Sequence, residues 1–300
     1  MLNSKATSRS GTGSFELTVF AYGAARLSMA ELADLRQRSI ERFSAQLRPQ
    51  LLKHSDEQTL AAAAALDRAV GQMPWCESFA EWAVVSATQY LGRTAFAAVI
   101  AKYQNDGPWG VSVQVIPHTS PHALASTLSL ALASHGPCIG AGTAPGEERH
   151  ALLTAATLLE RPEVAGVWVV FSGWSRGPAN GCADDSHGGP CCLAAVLAVG
   201  RNRSAASQSA STVGRIDIRA AAQPAKPSGA GQPAPANLTE WLTAPALSER
   251  PAVGAAQVFA SGGISLGIEF FGAPGRRHAT PATLLGPHAR FSAAVQRHST

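Results

Sequence analysis

Residues 164–171 read VAGVWVVF, an uninterrupted apolar run that is rich in valine. A short run of this composition is typical of a strand that is buried on both faces of a sheet. Similar runs stand upstream at Trp82–Thr88 (WAVVSAT) and downstream at residues 193–199 (LAAVLAV). Patterns with helical spacing separate these runs. Strands that alternate with helices predict an α/β fold with a largely parallel or mixed sheet.

Working outward from this core, the remaining elements can be placed in chain order. Ser28 precedes a helical pattern that has Glu31 in its first turn, and Asp56 is a second N-cap candidate. Gly136-Pro137 ends a further helix. The helices are predicted at residues 29–43, 57–70, 94–102, 120–134 and 147–160. The other strands are predicted at residues 15–21, 111–116, 139–142, 214–219 and 261–271.

Composition shifts divide the chain into four parts. Residues 1–14 are polar and are predicted to be a disordered leader, and residues 15–220 hold the alternating pattern. Residues 221–237 form a Pro/Ala/Gly-rich linker with almost no apolar anchor, which predicts flexibility and cleavage by mild protease between residues 223 and 237. Residues 238–300 form a short remnant, predicted to hold one amphipathic segment, one strand and a basic tail.

Charge and cysteine content exclude several classes of function. The chain of 300 residues carries a formal net charge of +4, and its basic residues are scattered rather than gathered in a stripe, so nucleic-acid binding is not predicted. No secretory signal and no apolar stretch long enough for a membrane span is present in the sequence. The five cysteines form an odd set without a disulfide framework, which predicts a reducing, cytoplasmic location.

Two stretches, one rich in glycine and one rich in cysteine, have features of ligand sites. Residues 140–146 (GAGTAPG) lack the lysine of a phosphate loop, and Pro145 occupies the third glycine position of a dinucleotide fingerprint, so no nucleotide cofactor is expected. A metal could be drawn from Cys182, Asp184, Asp185, His187 and Cys191, but adjacent cysteines point to opposite faces of a strand, and a loop followed by a buried strand is the simpler reading. No metal site is therefore predicted.

A resemblance to a known family emerges from the order of signals between Trp82 and Val199. A buried strand at residues 83–88 is followed by Pro117-His118-Thr119-Ser120-Pro121, by Gly136-Pro137, and by a short strand, a sharp turn and a helix. Residues 167–171 with Gly173, and then Gly188-Gly189-Pro190-Cys191-Cys192, complete the series. In this order the signals resemble the N-terminal half of a β-ketoacyl synthase of the thiolase-like superfamily, above all the short homologues that are grouped with chain-length factors.

The resemblance implies a fold and a site. The fold would be a thiolase-like, layered α-β-α half with a central mixed sheet, followed by the linker and the remnant. The family holds its acyl-accepting cysteine on a tight turn at a helix N-terminus, which stabilises the thiolate. Counted from Gly136-Pro137, that position falls on Pro145, which carries no nucleophile. The second-half histidine or asparagine motifs of the family are not found. The residues expected to line a substrate tunnel or a subunit interface are Thr119, Ser120, Thr143, Ala144, Pro145 and Gly146.

The favoured hypothesis is a ketosynthase-like subunit without the nucleophilic cysteine, which pairs with an active β-ketoacyl synthase and meets an acyl carrier protein. A second hypothesis is an active acyltransferase or condensing enzyme that uses Cys138 or Cys191. A third is a stand-alone binding protein for an acyl carrier protein or acyl thioester. A hydrolase built on Ser120 and His150 is a further alternative, but no G-x-S-x-G motif supports it.

Overall fold

The structure is a computed structural model that describes residues 14–42, 52, 55–112, 120–142, 148–175, 190–201, 212–220, 238–244, 256–261 and 264–271. The strands are β1 (Ser14–Ser28), β2 (Trp82–Thr88), β3 (Cys138–Gly142), β4 (Gly166–Trp174), β5 (Cys191–Gly200), β6 (Gly214–Ala220), β7 (Ala256–Ser261) and β8 (Ile264–Phe270). The helices are α1 (Met29–Arg42), α2 (Glu57–Val70), α3 (Arg93–Asp106), α4 (Pro121–Ala131), α5 (Arg149–Leu158) and α6 (Leu238–Leu242), with a short 3₁₀ helix at Pro108–Gly110.

In the described part of the chain, eight strands form one sheet in the order β3-β2-β4-β5-β1-β6-β8-β7. β2 pairs in parallel with β3 on one side and with β4 on the other. The remaining neighbours, from β4 to β7, pair antiparallel. The predicted α/β class with a central mixed sheet is confirmed.

Two apolar cores lie on opposite faces of this sheet. Side chains alternate along each strand, so Val84 of β2 faces the core under α1, α2 and α4, whereas Val85 faces the core under α5 and α6. The same alternation divides Trp168 and Val169 of β4 between the two cores. The helices therefore cover both faces, which gives three layers, α-β-α.

The first core depends on an unusually close approach between α2 and β1. A Cβ atom added at Gly23 would stand 1.9 Å from the carbonyl oxygen of Ala65, so α2 lies directly on the backbone of β1. Residues 61–65 of α2 are all alanine and are buried except for Ala64, which is partly exposed. Small side chains on both elements are what allow this contact.

Most predicted elements match the structure, with two instructive differences. The predicted cap of α1 is present, since Ser28 and Glu31 exchange side-chain hydrogen bonds with each other's backbone N–H. β1 is longer than predicted, because its first half pairs with β6 and its second half with β5. Two strands, β7 and β8, stand where the sequence predicted one. β8 pairs with β6, so residues after position 237 extend the same sheet.

Three expectations fall on residues outside the described ones. The predicted strand at residues 111–116 lies largely there, and so do the linker at residues 221–237 and all of the leader predicted at residues 1–14 except Ser14, which begins β1. The division of the chain at residues 220 and 237 therefore stays a prediction. None of the helices that the structure describes is long and apolar enough to cross a membrane.

Candidate functional site

The turn in which the resemblance places the nucleophile position, at Pro145, runs from the end of β3 to the start of α5. Thr143, Ala144, Pro145 and Gly146 lie outside the described residues, as does Thr119. Their flanks are described. Gly142, the last residue of β3, pairs with Thr88, and the Thr88 hydroxyl donates to the carbonyl oxygen of Ala141 over 3.3 Å. The chain therefore leaves the sheet at the carboxyl ends of β2 and β3.

Ser120 is the one predicted tunnel or interface residue that the structure describes. It is half-buried and is the N-cap of α4, with Pro121 in the first turn. A Cβ atom at Gly140 of β3 would stand 2.3 Å from the Pro121 carbonyl oxygen and 2.3 Å from the His122 Cα. The first turn of α4 thus rests on the backbone of β3, and this contact brings Ser120 towards the carboxyl end of the sheet.

Beside this turn, buried polar side chains form a connected network. The Ser172 hydroxyl donates to Gln58 Oε1 over 2.7 Å, and Gln58 Nε2 donates to the backbone oxygen of Gln89 over 2.8 Å. The backbone N–H of Gln89 returns a hydrogen bond to the Ser172 carbonyl oxygen at 2.9 Å. All three side chains are at most 4% exposed. The network joins the first turn of α2 to the ends of β2 and β4.

Glu148 extends the network to two further helices. Its side chain is 1% exposed and stands immediately before α5. Gln89 Nε2 donates to Glu148 Oε1 over 2.6 Å, and the Thr239 hydroxyl of α6 donates to the same oxygen over 3.3 Å. Because a buried carboxylate is costly unless it accepts hydrogen bonds, these donors are what make its burial tolerable.

Sequence reasoning missed this network. Gln58, Gln89, Ser172 and Thr239 belong to no motif and are dispersed through the chain. One signal was available: Thr88-Gln89 and Ser172 are polar residues at the ends of strongly apolar strands. In open α/β sheets, ligands bind beyond the carboxyl ends of the strands, so polar residues there are candidates for a site.

The two candidate thiols lie at different edges of the sheet. Cys138 begins β3, so four residues of strand, about 13 Å, separate it from the turn. Desolvation by burial raises the pKa of Cys138 to about 11, so the thiol stays protonated near neutral pH. A relocated nucleophile at Cys138 would therefore be both remote from the turn and poorly reactive.

Cys191 begins β5, which runs antiparallel to β4, so it stands at the same edge of the sheet as the turn. β5 is three strands away from β3, a lateral separation of about 14 Å. Cys191 is half-buried, and its backbone N–H donates to the Ser175 hydroxyl over 3.1 Å. The pKa of the adjacent Cys192 thiol is raised, mainly by burial and also by the nearby carboxyl groups of Asp56 and Glu57. Cys191 lies at the same side of the sheet as the turn and Cys138 does not, so Cys191 is the better placed of the two candidate thiols.

The other predicted site residues are not brought together. His122 and His150 are exposed. Of the cysteine-rich stretch weighed as a metal site, Cys182, Asp184, Asp185 and His187 lie outside the described residues. Among the residues that are described, no group of three or more His, Cys, Asp or Glu could hold a metal ion.

An apolar surface that the body of the protein leaves uncovered follows β2 in the chain. Phe96, Ile100 and Tyr103 recur at helical spacing along α3 and are 40%, 55% and 54% exposed, and Trp109 in the 3₁₀ helix is 97% exposed. We call these four side chains the α3 surface. Complete burial of one such side chain stabilises a protein or complex by about 1.5–3 kcal/mol, so the α3 surface has a large unused capacity for binding.

Among the described residues, the sheet is also open at its β3 side. In the described part of the chain β3 pairs with β2 alone and has no neighbour on its other side. Ile139 on this edge strand is 37% exposed and Leu130 near the end of α4 is 57% exposed. An open edge presents unpaired N–H and C=O groups that can receive a strand of another chain.

No protein-family model and no curated protein sequence matches the chain. Solved structures do. A chain of the ketosynthase ApeO in complex with its chain length factor ApeC, from Xenorhabdus doucetiae, is 9% identical with a TM-score of 0.49, covering 85% of this chain and 99% of that chain.

Two further solved structures belong to the same class. The ishigamide ketosynthase/chain length factor is 14% identical with a TM-score of 0.46, covering 69% of this chain and 68% of that chain. A type II polyketide acyl-carrier protein in complex with its ketosynthase, AntDE:AntF, is 13% identical with a TM-score of 0.48, covering 67% of each chain. These are proteins of the kind that the sequence resembles. The likeness is weak, and activity and partners have to be argued from this chain's own residues.

Proposed function

We propose that this chain is a ketosynthase-like subunit without the nucleophilic cysteine, which acts as a chain-length-factor-like partner of an active β-ketoacyl synthase in fatty-acid, polyketide or aryl-polyene type biosynthesis. The observation that carries the proposal is the α3 surface, an exposed aromatic and aliphatic stripe in a chain whose sheet also ends in an open strand. Such a surface fits a partner subunit better than it fits a monomeric enzyme.

The chemistry of the turn supports the same function. Proline at position 145 offers no group that could accept an acyl chain, and the sequence places carboxylates at Glu147 and Glu148 directly after it. In this proposal Thr119, Ser120 and residues 143–146 line the acyl tunnel or the subunit interface. The partner supplies the thiol, and the acyl carrier protein delivers the chain to the pair.

Co-expression with an active β-ketoacyl synthase tests the partner role. The expected result is a stable complex by size-exclusion chromatography with light scattering. Ile100→Asp places a charge on the α3 surface and is expected to weaken the complex at least about tenfold, since burying an unpaired carboxylate is unfavourable. Asn105→Asp introduces the same charge on the opposite face of the same helix, so it is the matched control and should leave the complex intact.

Intact-mass measurement tests the absence of a nucleophile. The folded chain is incubated with acyl thioester donors and separately with a thiol-directed ketosynthase inhibitor. No stoichiometric acyl adduct is expected. A single adduct at Cys138 or Cys191 would establish the relocated-thiol enzyme instead. A chain that binds acyl carrier protein but no ketosynthase would be the stand-alone binding protein.

A further inference from the structure

The contact between Thr239 and Glu148 joins segments that are far apart in the chain. The two residues are separated by 91 positions, and the linker region at residues 221–237 lies between them in sequence. α6 has only five residues, too short to be stable as an isolated helix. Its conformation must therefore come from its anchors on the body of the protein.

Those anchors are few and can be identified individually. Leu238 and Leu242 are buried in the second core, and the Tyr22 hydroxyl donates to the Leu242 carbonyl oxygen. The Trp241 ring stacks on Phe270 at 6.0 Å. These contacts hold α6 against β1 and β8. Thr239 adds a contact of another kind, a hydrogen bond to the buried carboxylate before α5.

We infer that docking of α6 and formation of the first turn of α5 are a single cooperative event, with Glu148 as the positioning residue between them. When α6 is docked, Glu148 Oε1 accepts hydrogen bonds from both Thr239 and Gln89. When α6 leaves, this carboxylate loses a donor in a site that is 1% exposed. The loss of this donor makes the buried position of the carboxylate less favourable, and this loosens the start of α5 and the contact with Gln89. The inference does not rest on the partner role proposed above.

The coupling extends from Glu148 to the candidate site through Gln89. Gln89 is the relay from Glu148 to Gln58 and Ser172, so undocking of α6 reaches the ends of β2 and β4. A ligand or partner that displaces α6 would change the carboxyl edge of the sheet without touching it. The chain would thus carry a conformational switch between its last elements and its candidate site.

Hydrogen exchange of the full chain, followed by mass spectrometry on peptides of α5 and α6, tests the inference. Thr239→Val keeps the side-chain volume and removes the donor. We expect exchange to rise roughly tenfold in both α6 and α5, the effect of one hydrogen bond to a charged group. Thr243→Val is the matched control: its hydroxyl is equally buried but donates to the Thr239 carbonyl oxygen within the same segment. Because this bond lies within the segment and does not hold α6 on the body of the protein, Thr243→Val should loosen only the last residues of the segment and leave α5 exchange as in the parent chain.

A second variant approaches α6 from the opposite side. Tyr22→Phe removes the hydroxyl that holds the Leu242 carbonyl group and leaves Glu148 untouched. Coupling predicts that it too raises exchange in α5 peptides together with those of α6. The inference is overturned if Thr239→Val and Tyr22→Phe loosen α6 while α5 exchanges as in the parent chain. Should Thr239→Val unfold the whole protein, the Tyr22→Phe result decides.

Discussion

Gly23→Ala should destabilise this protein severely, although it adds a single methyl group. The new Cβ atom would stand 1.9 Å from the Ala65 carbonyl oxygen and 3.0 Å from the Ala69 backbone nitrogen. Ordinary contact begins near 3.4 Å, so α2 would have to retreat from β1 by more than an ångström. Because the neighbours are backbone atoms of a buried helix, no side-chain rotation can relieve the clash. Overpacking of this kind costs about 1–3 kcal/mol, and the loss of α2 contacts places Gly23→Ala at the upper end, about 3 kcal/mol.

Gly267→Ala provides the control, since Gly267 is also a strand glycine. An added Cβ atom there would find its nearest neighbour, the Asp217 Cβ, at 3.8 Å, which is an ordinary contact. Alanine also restricts the unfolded chain more than glycine does, so Gly267→Ala should be neutral or stabilising by up to about 1 kcal/mol. Urea unfolding followed by circular dichroism measures both variants. Equal unfolding free energies for the two variants would refute the close packing of α2 on β1.

Three further outcomes are expected. Ser172→Ala should lower the free energy of unfolding, measured in urea, by about 1–3 kcal/mol, because it leaves the buried Gln58 Oε1 without its donor. Thr157→Ala, which removes an exposed hydroxyl on α5, should change that free energy by less than about 0.5 kcal/mol. Burial raises the pKa of Asp56, so the native state binds a proton at this carboxyl group more tightly than the unfolded state does. The free energy of unfolding of the parent, relative to that of Asp56→Asn, should therefore rise as pH falls from 7 towards 4, and a constant difference would contradict this. The rate at which iodoacetamide alkylates Cys138, measured by mass spectrometry with Cys138→Ala as the control, should rise about tenfold per pH unit from neutrality up to the thiol pKa of about 11. A rate that is already maximal at pH 8 would show a reactive thiolate instead.

The sequence was most informative where a local rule acts alone. α2 begins and ends as predicted, because Asp56 accepts a hydrogen bond from the Thr59 N–H at 2.8 Å and Gly71 follows the last residue. β2 has its predicted bounds, since a fully buried strand shows as an unbroken apolar run. These elements are specified by neighbouring residues, and one sequence is enough to find them.

The candidate site was less accessible, because its contacts join distant segments. Glu148 stands at the start of α5, where the positive end of a helix favours a carboxylate. Its partners Gln89 and Thr239 lie 59 and 91 positions away, and no spacing rule connects residues so far apart. A glutamine after a strand looks like an ordinary turn residue until the fold shows that it is 4% exposed and directed at a carboxylate.

The position of α6 changes how the end of the chain has to be viewed. Composition suggested a domain followed by a linker and a remnant, yet Leu242 is fully buried in the second core and β8 pairs along β6. A chain that stopped at residue 220 would leave β6 as a new sheet edge, remove the acceptor of the Tyr22 hydroxyl and leave Glu148 with one donor fewer. The residues after position 237 therefore complete both a core and the polar network beside the turn, because Thr239 supplies one of the hydrogen bonds that offset the burial of Glu148.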